Sequence, residues 1–450
     1  LSFLRSLYLS KRFFAVLAGL AALCVVGYWV PAVFLAAQIG FAGFAAAVLA
    51  DLALLWGAKG ALEGERHVPP QLSNGDLNVI ALEVRSRYRF PVRVRVLDEV
   101  PVQFQVRDGG FVEALEPGEA KRLRYTLRPT QRGAYAFGVL NLYAASPLGL
   151  VLRRFRTAAE GEAAVYPSIL QMHRYAFLAA ANRLEEVGIK KVRRLGQTME
   201  FDQIRAYVPG DDRRTVNWKA TARRGGGPGL GPVLMVNQYE EERSQPVYAV
   251  LDMGRTMRSP FAGLTLLDHA VNAALVLLNI ALQKGDKAGL VAFSEEVRAV
   301  VAAERRRGHL GRLLEALYRL DTGFLDPSYE GLLATMEHTL RQRGLVLLFT
   351  NFETRNGLKR QLSYLRRIAK RHRLVVVFFE NTGLRELLDR PAERLEDVYV
   401  KAVAEGLEVE KREIARELER HGIGALLTKP ESLTVDAINR YLQIKARGAF

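Results

Sequence analysis

What the chain is short of narrows it first. Among 450 residues there is one cysteine, Cys24. No internal disulfide and no cluster of thiolates can form, which agrees with a reducing compartment. Residues 13–50 hold no charged side chain at all. That is too long for one helix across roughly 30 Å of hydrocarbon and suits two short, close-set ones. The glycine-rich stretch 225–232 leads into no Gly-Lys-Ser/Thr, so it is no phosphate-binding loop. Zinc-finger spacing, an RNA-binding aromatic pair and a basic zipper are all missing. His173 and His269 have no triad or metal-ligand partner at telling spacing.

The uncharged stretch predicts one span over 13–30 and a second over 33–56, with a minimal turn at Pro31-Ala32. Tyr28 and Trp29 then sit at the interface, where amphipathic rings are favoured. Asp51 falls near the end of the second span, where its charge reaches headgroups or water at modest cost. Arg5, Lys11 and Arg12 precede the first span, Lys59 and Arg66 come after the second, and the turn is free of basic residues. The positive-inside tendency places both termini in the cytoplasm. The net charge of +16 fits a face held against anionic membrane lipid more cheaply than it fits nucleic acid, given such an anchor.

A chain of this length predicts two or three domains. From about 72 to 166 the apolar period is near two, as in LNVIALEVRS and KRLRYTLRPT, with turn residues between. This predicts a small antiparallel β-sandwich. After 245 the pattern changes. PVYAVLD, KAGLVAF, LVLLFTNF, RLVVVFFE and GIGALLT are near-continuous apolar runs separated by amphipathic helices, and VRAVVAA reads as a hairpin partner of KAGLVAF. Such runs call for a parallel sheet covered on both faces. The resulting division is a transmembrane helical hairpin over 1–60, a β-sandwich-like domain over 61–166, a connector over 167–240 and an α/β domain over 241–450.

In parallel sheets sites form beyond the carboxyl ends of the strands. One such end reads Asp252-Met253-Gly254-Arg255-Thr256, another Thr350-Asn351, and Asp326 and Ser328 precede a helix. Asp252 and Thr256 at i and i+4 can converge on one hard cation, Mg²⁺ or Ca²⁺. Alternatively Asp252 caps the next helix or pairs with an arginine, and no metal binds.

The densest polar chemistry lies in YVPGDDRRTVNWKATARRG, residues 207–225. Pro209-Gly210-Asp211-Asp212 reads as a turn. Asp212 caps the segment that begins at Arg213, and Trp218 packs as an anchor on a short helix. Asp211, Asp212, Arg213 and Arg223 satisfy one another as ion pairs. On that reading the stretch is a structural latch. On the other it is a surface for a partner protein, lipid headgroups or a phosphate. No nucleophile–base pair is evident, so catalysis is not expected.

Two resemblances rest on these residues. The region after 241 resembles a von Willebrand factor A domain, a Rossmann-type α/β fold with a metal-ion-dependent adhesion site of pattern Asp-x-Ser-x-Ser. Asp252 matches its leading Asp and Thr256 its second hydroxyl. Gly254 replaces the first serine, and Asn351 stands where a third-loop Asp is expected. For the second-loop Thr, Asp326 or Ser328 is nearest. The resemblance thus implies a degenerate site, with Mg²⁺ as the ion.

The run that includes Tyr207, Pro209, Gly210, Asp211, Asp212, Arg213, Asn217, Trp218, Ala222 and Arg223 resembles the signature of a large bacterial family, number fifty-eight of the domains of unknown function. The resemblance covers almost the whole chain and departs at the insert 225–232. It implies an inner-membrane protein without assigned enzyme activity. Members are often encoded beside a MoxR-type AAA+ ATPase and transglutaminase-like proteins. The function implied is interaction and assembly with that ATPase. A divalent-metal hydrolase and a basic nucleic-acid-binding protein are the alternatives.

Overall fold

The computed structural model describes residues 2–57, 61–106, 110–157, 161–180, 183–189, 200–209, 211–224, 233–240, 244–383, 388, 391 and 394–448. The chain forms two compact units, Leu1–Ile169 and Leu170–Phe450.

In the first unit two helices, Lys11–Gly27 and Pro31–Trp56, are joined by three residues. Pro31 begins the second helix instead of making the turn. Its missing N–H and fixed φ cost nothing at a helix start. Pro31–Trp56 has the length and apolarity to cross a membrane and is 6% buried. The other helix that passes the same test, Leu266–Gln283, is 83% buried and is a core element of the second unit.

The strands of the first unit form three sheets. The largest runs in the order Leu7–Leu9, Val151–Thr157, Leu140–Ala145, Val92–Asp98, Gly110–Leu115, with every pair antiparallel. Another pairs Leu62–His67, Asn78–Ser86 and Ala120–Leu127, and a third pairs Gln71–Ser73, Gly161–Tyr166 and Gly133–Phe137. Strand Val92–Asp98 shows why: Val92, Val94 and Val96 are buried while Arg93 and Arg95 are exposed, the period-two signature of a sheet wet on one face.

Asp51 is not at a wet helix end. It is fully buried, and its Oδ2 accepts the backbone N–H groups of Leu150 at 2.8 Å and Val151 at 2.9 Å. Around it Leu55 is buried in the β core, and Phe44, Val48, Leu52 and Trp56 pack against that core. Tyr88 also donates to the Leu55 carbonyl oxygen at 3.0 Å. The last turns of the helix are therefore fastened to the sheet. The expected contact with headgroups is replaced by donors from a strand that begins a hundred residues later.

The second unit is built on a six-stranded sheet. Its order is Val297–Glu304, Lys287–Phe293, Pro246–Asp252, Leu345–Phe349, Arg373–Phe379, Gly424–Thr428. All pairs are parallel except the first, an antiparallel edge. Pro246–Asp252 is buried at every position, as a central strand covered on both faces must be. On one face the helices Tyr329–Thr339, Arg355–Arg371 and Leu395–Arg420 cover Val250, Val291, Leu348 and Val376. Leu266–Gln283 also packs on the central strands and against the last helix, Leu433–Ala446. Its start is fixed by a capping box between Thr265 and Asp268.

Candidate functional site at the strand ends

The central strand delivers Asp252 to the carboxyl edge of the sheet, where its side chain is buried. Oδ1 accepts the Gly254 N–H at 2.8 Å. Oδ2 accepts the Thr350 hydroxyl at 2.6 Å and the Tyr329 hydroxyl at 3.1 Å. Burial pushes the Asp252 carboxyl above its usual range, against the pull of those donors. It also holds the Tyr329 hydroxyl well above its ordinary value, helped by the neighbouring carboxylate. Asp252 is thus an internal acceptor spent on three donors, from its own loop, from the loop that ends the next strand and from the start of the helix Tyr329–Thr339.

The other expected ligands go elsewhere. Among the described residues, none of Thr256, Asp326, Ser328 or Asn351 is hydrogen-bonded to Asp252. Thr256 offers its backbone oxygen to Asn351 Nδ2 at 3.3 Å. Asp326 is exposed and pairs with Arg255 at 3.1 Å. Ser328 caps the helix Tyr329–Thr339, its Oγ accepting the Gly331 N–H at 3.1 Å. At Gly254 a Cβ would lie 2.6 Å from Pro327 Cδ, so a serine hydroxyl has no room there. No group of three or more His, Cys, Asp or Glu able to hold a metal occurs among the described residues. The side chains present do not fit a divalent ion.

Instead an ammonium enters. Lys411 reaches from the helix Leu395–Arg420 and donates to Asn351 Oδ1 at 2.8 Å and to the Phe379 carbonyl oxygen at 2.6 Å. Burial lowers its pKa from 10.5 to about 8, with Glu353 and Glu380 opposing the shift. It lines a cavity of about 670 Å³ together with Phe261, Leu266, Glu353, Phe379 and Glu380. Sequence reasoning misses Lys411, Tyr329 and Thr350. Thr350 adjoins Asn351 and Tyr329 adjoins Ser328, so both lie within one residue of a candidate. Lys411 sits 60 residues from Asn351 and carries no local signal.

The stretch 207–224 is a second polar cluster. It lies beside the antiparallel pair Glu200–Ala206 and Met235–Glu240. Tyr207 N–H donates to the Leu234 carbonyl oxygen at 2.8 Å. Pro209 is exposed and Gly210 lies outside the described residues. Arg205 bonds Asp211 at 2.6 Å and holds its carboxyl below the usual range. Asp212 caps the short turn Arg213–Thr215. Asn217 accepts the Ala220 N–H at 2.9 Å and donates to Asn237 at 2.8 Å, so it both starts the helix Trp218–Arg224 and ties it to the strand.

Two expectations fail here. Trp218 is 71% exposed and does not pack as an anchor among the described residues. The helix meets the strand through Asn217 and through the buried Thr221, whose Oγ accepts the Met235 N–H at 3.0 Å, and this leaves the indole outside. Arg213, Arg214, Lys219 and Arg223 lie toward solvent, as does Ala222, and none of these four cations has a carboxylate partner among the described residues. Among the described residues none of the expected mutual ion pairs forms, and Asp211 pairs instead with Arg205, which the expected set did not include.

The chain is 24% identical over 234 residues to the uncharacterized protein YeaD of Bacillus subtilis (strain 168), which is 50% of this chain and 54% of that protein. It spans about half the length of that relative. Two solved structures are similar to part of it. The CARDB domain of a Pyrococcus furiosus protein gives a TM-score of 0.17 at 18% identity, over 23% of this chain and 94% of that one. The ASH/PapD-like domain of human CEP192 gives 0.17 at 16% identity, over 24% and 89%. Residues 203–417, which hold Trp218, Asp252, Asn351 and Lys411, match the family described as protein of unknown function DUF58.

Proposed function

We propose that the chain is a membrane-anchored interaction protein working with a MoxR-type AAA+ ATPase in the maturation of a protein complex. The helix Pro31–Trp56 is the anchor, in an inner membrane with both termini cytoplasmic. The α/β unit, read as a von Willebrand factor A-like Rossmann-type domain, is the docking body. The observation that carries this reading is Trp218, 71% exposed amid Arg213, Arg214, Lys219 and Arg223. An exposed indole with four exposed cations close to it in sequence, and no packing role among the described residues, matches the anchor chemistry of interfaces. Asp252, the buried carboxylate that ends the central strand, is spent on internal donors, which favours docking over catalysis.

The test is retention of a purified MoxR-type ATPase from the same cell on the detergent-solubilised chain. Trp218→Ala should abolish retention, and equal retention by both forms would end the reading. The same basic, aromatic face supports a second reading, contact with anionic lipid headgroups. In nanodiscs, lipids brominated near the headgroup should then quench Trp218 fluorescence, and more strongly with anionic than with zwitterionic lipid.

A further inference from the structure

We propose that the Lys411 ammonium is the resident cation at the strand ends and takes the place of a divalent ion at Asn351, the expected ligand that it touches. Three observations converge on this. Asp252 has no oxygen without a donor, since Gly254, Thr350 and Tyr329 occupy both. Gly254 cannot gain a hydroxyl, because Pro327 fills the space where a Cβ would go. At Asn351 the side-chain oxygen, the atom a metal would take, is already accepting from Lys411.

The ammonium is held by the backbone as well as by a side chain. Its second acceptor is the Phe379 carbonyl oxygen at the end of the neighbouring strand, at 2.6 Å. Lys411 thus bridges the ends of two adjacent parallel strands, 345–349 and 373–379, as a multivalent cation would. A lysine is a compact point charge with three donors on a flexible stem, which suits it to such a position. Glu353 and Glu380 line the same cavity and supply the countercharge. Whatever enters the cavity therefore meets a covalently tethered cation. Its binding is independent of divalent metal and insensitive to chelators, and this goes beyond the docking reading, which concerns the Trp218 face.

The experiment is thermal melting and calorimetry of the full chain in detergent, for wild type, Asn351→Asp, Lys411→Met and the double variant. With a lysine as resident cation, wild type shows no saturable heat and no shift in Tm with millimolar Mg²⁺ or Mn²⁺. Asn351→Asp raises Tm in EDTA by pairing with Lys411, and Lys411→Met cancels that rise. Saturable Mg²⁺ or Mn²⁺ binding by wild type would overturn the proposal. So would an Asn351→Asp protein that melts lower in EDTA and recovers on adding Mg²⁺. Neither result bears on whether an ATPase is retained, so the two readings fail separately.

Discussion

The strand-end cluster and the stretch around Trp218 spend their polar groups in opposite ways. At the strand ends most of the expected ligands are turned inward: Asp252 to three donors, Ser328 to a helix start, Asn351 to Thr256 and Lys411. Around Trp218 the turn and the helix start are satisfied by Asp211, Asp212 and Asn217, and the arginines, the lysine and the indole are left outside. The cluster that resembled a binding site holds the fold together, and the stretch that resembled scaffolding presents a surface. Polar density in a sequence therefore does not say which way the groups face. The count of satisfied donors and acceptors does.

The contrast can be broken most forcefully at Asp252. Asp252→Ala leaves two buried donors without an acceptor, the Gly254 N–H and one of the two hydroxyls, since Tyr329 and Thr350 still bond each other at 2.9 Å; at about 1–3 kcal/mol each, a loss of about 2 kcal/mol or more is expected in denaturant melts. A mild effect would mean that the carboxylate is free for a ligand. Next comes Asp51→Ala, which strands two buried N–H groups at a cost of about 2–4 kcal/mol. Hydrogen exchange at Leu150 and Val151 should accelerate, and unchanged protection would contradict the contact. Gly254→Ser should cost about 1–3 kcal/mol through overlap with Pro327, measured in the same melts, and confer no Mg²⁺ binding.

A smaller effect concerns Lys411, faced by Glu353 and Glu380. Its folded pKa is about 8 against an ordinary 10.5. Between those values the unfolded chain binds a proton that the folded chain has released, so this group makes stability rise with pH across that window. The rise should be smaller in Lys411→Met. At the bottom of the scale, Trp218→Ala should leave stability within about 0.5 kcal/mol, as exposed positions do, while partner retention is lost.

The α/β sheet is legible in the sequence because a strand covered on both faces must be apolar throughout, and runs such as PVYAVLD cannot be read as amphipathic helices. The antiparallel edge strand is readable for a similar local reason, whereas the spans read as 13–30 and 33–56 are the helices Lys11–Gly27 and Pro31–Trp56, because Pro31 starts a helix as readily as it makes a turn. Leu395–Arg420 gives no comparable signal, since its glutamates and arginines are spaced as a solvated face and its buried residues, such as Ile414 and Leu418, are thinly spread. That silence hides Lys411. Asp51 escapes a local reading because its donors lie on a strand far along the chain, and no window of sequence contains both. Trp218 misleads because aromatic residues are usually buried, while here Asn217 and Thr221 are the residues that meet the strand and the indole is left outside.

Asp51 also constrains the order in which the protein is made. It leaves the ribosome 99 residues before Leu150, the first of its two donors. Through that interval the helix Pro31–Trp56 carries a carboxylate near its end whose two backbone donors have not yet been made. The donors that satisfy it become available only once Leu150 and Val151 are made. The end of this helix and the β core are thus joined through residues made late, and truncation before residue 150 should leave the helix without the two donors that fasten it to its own unit.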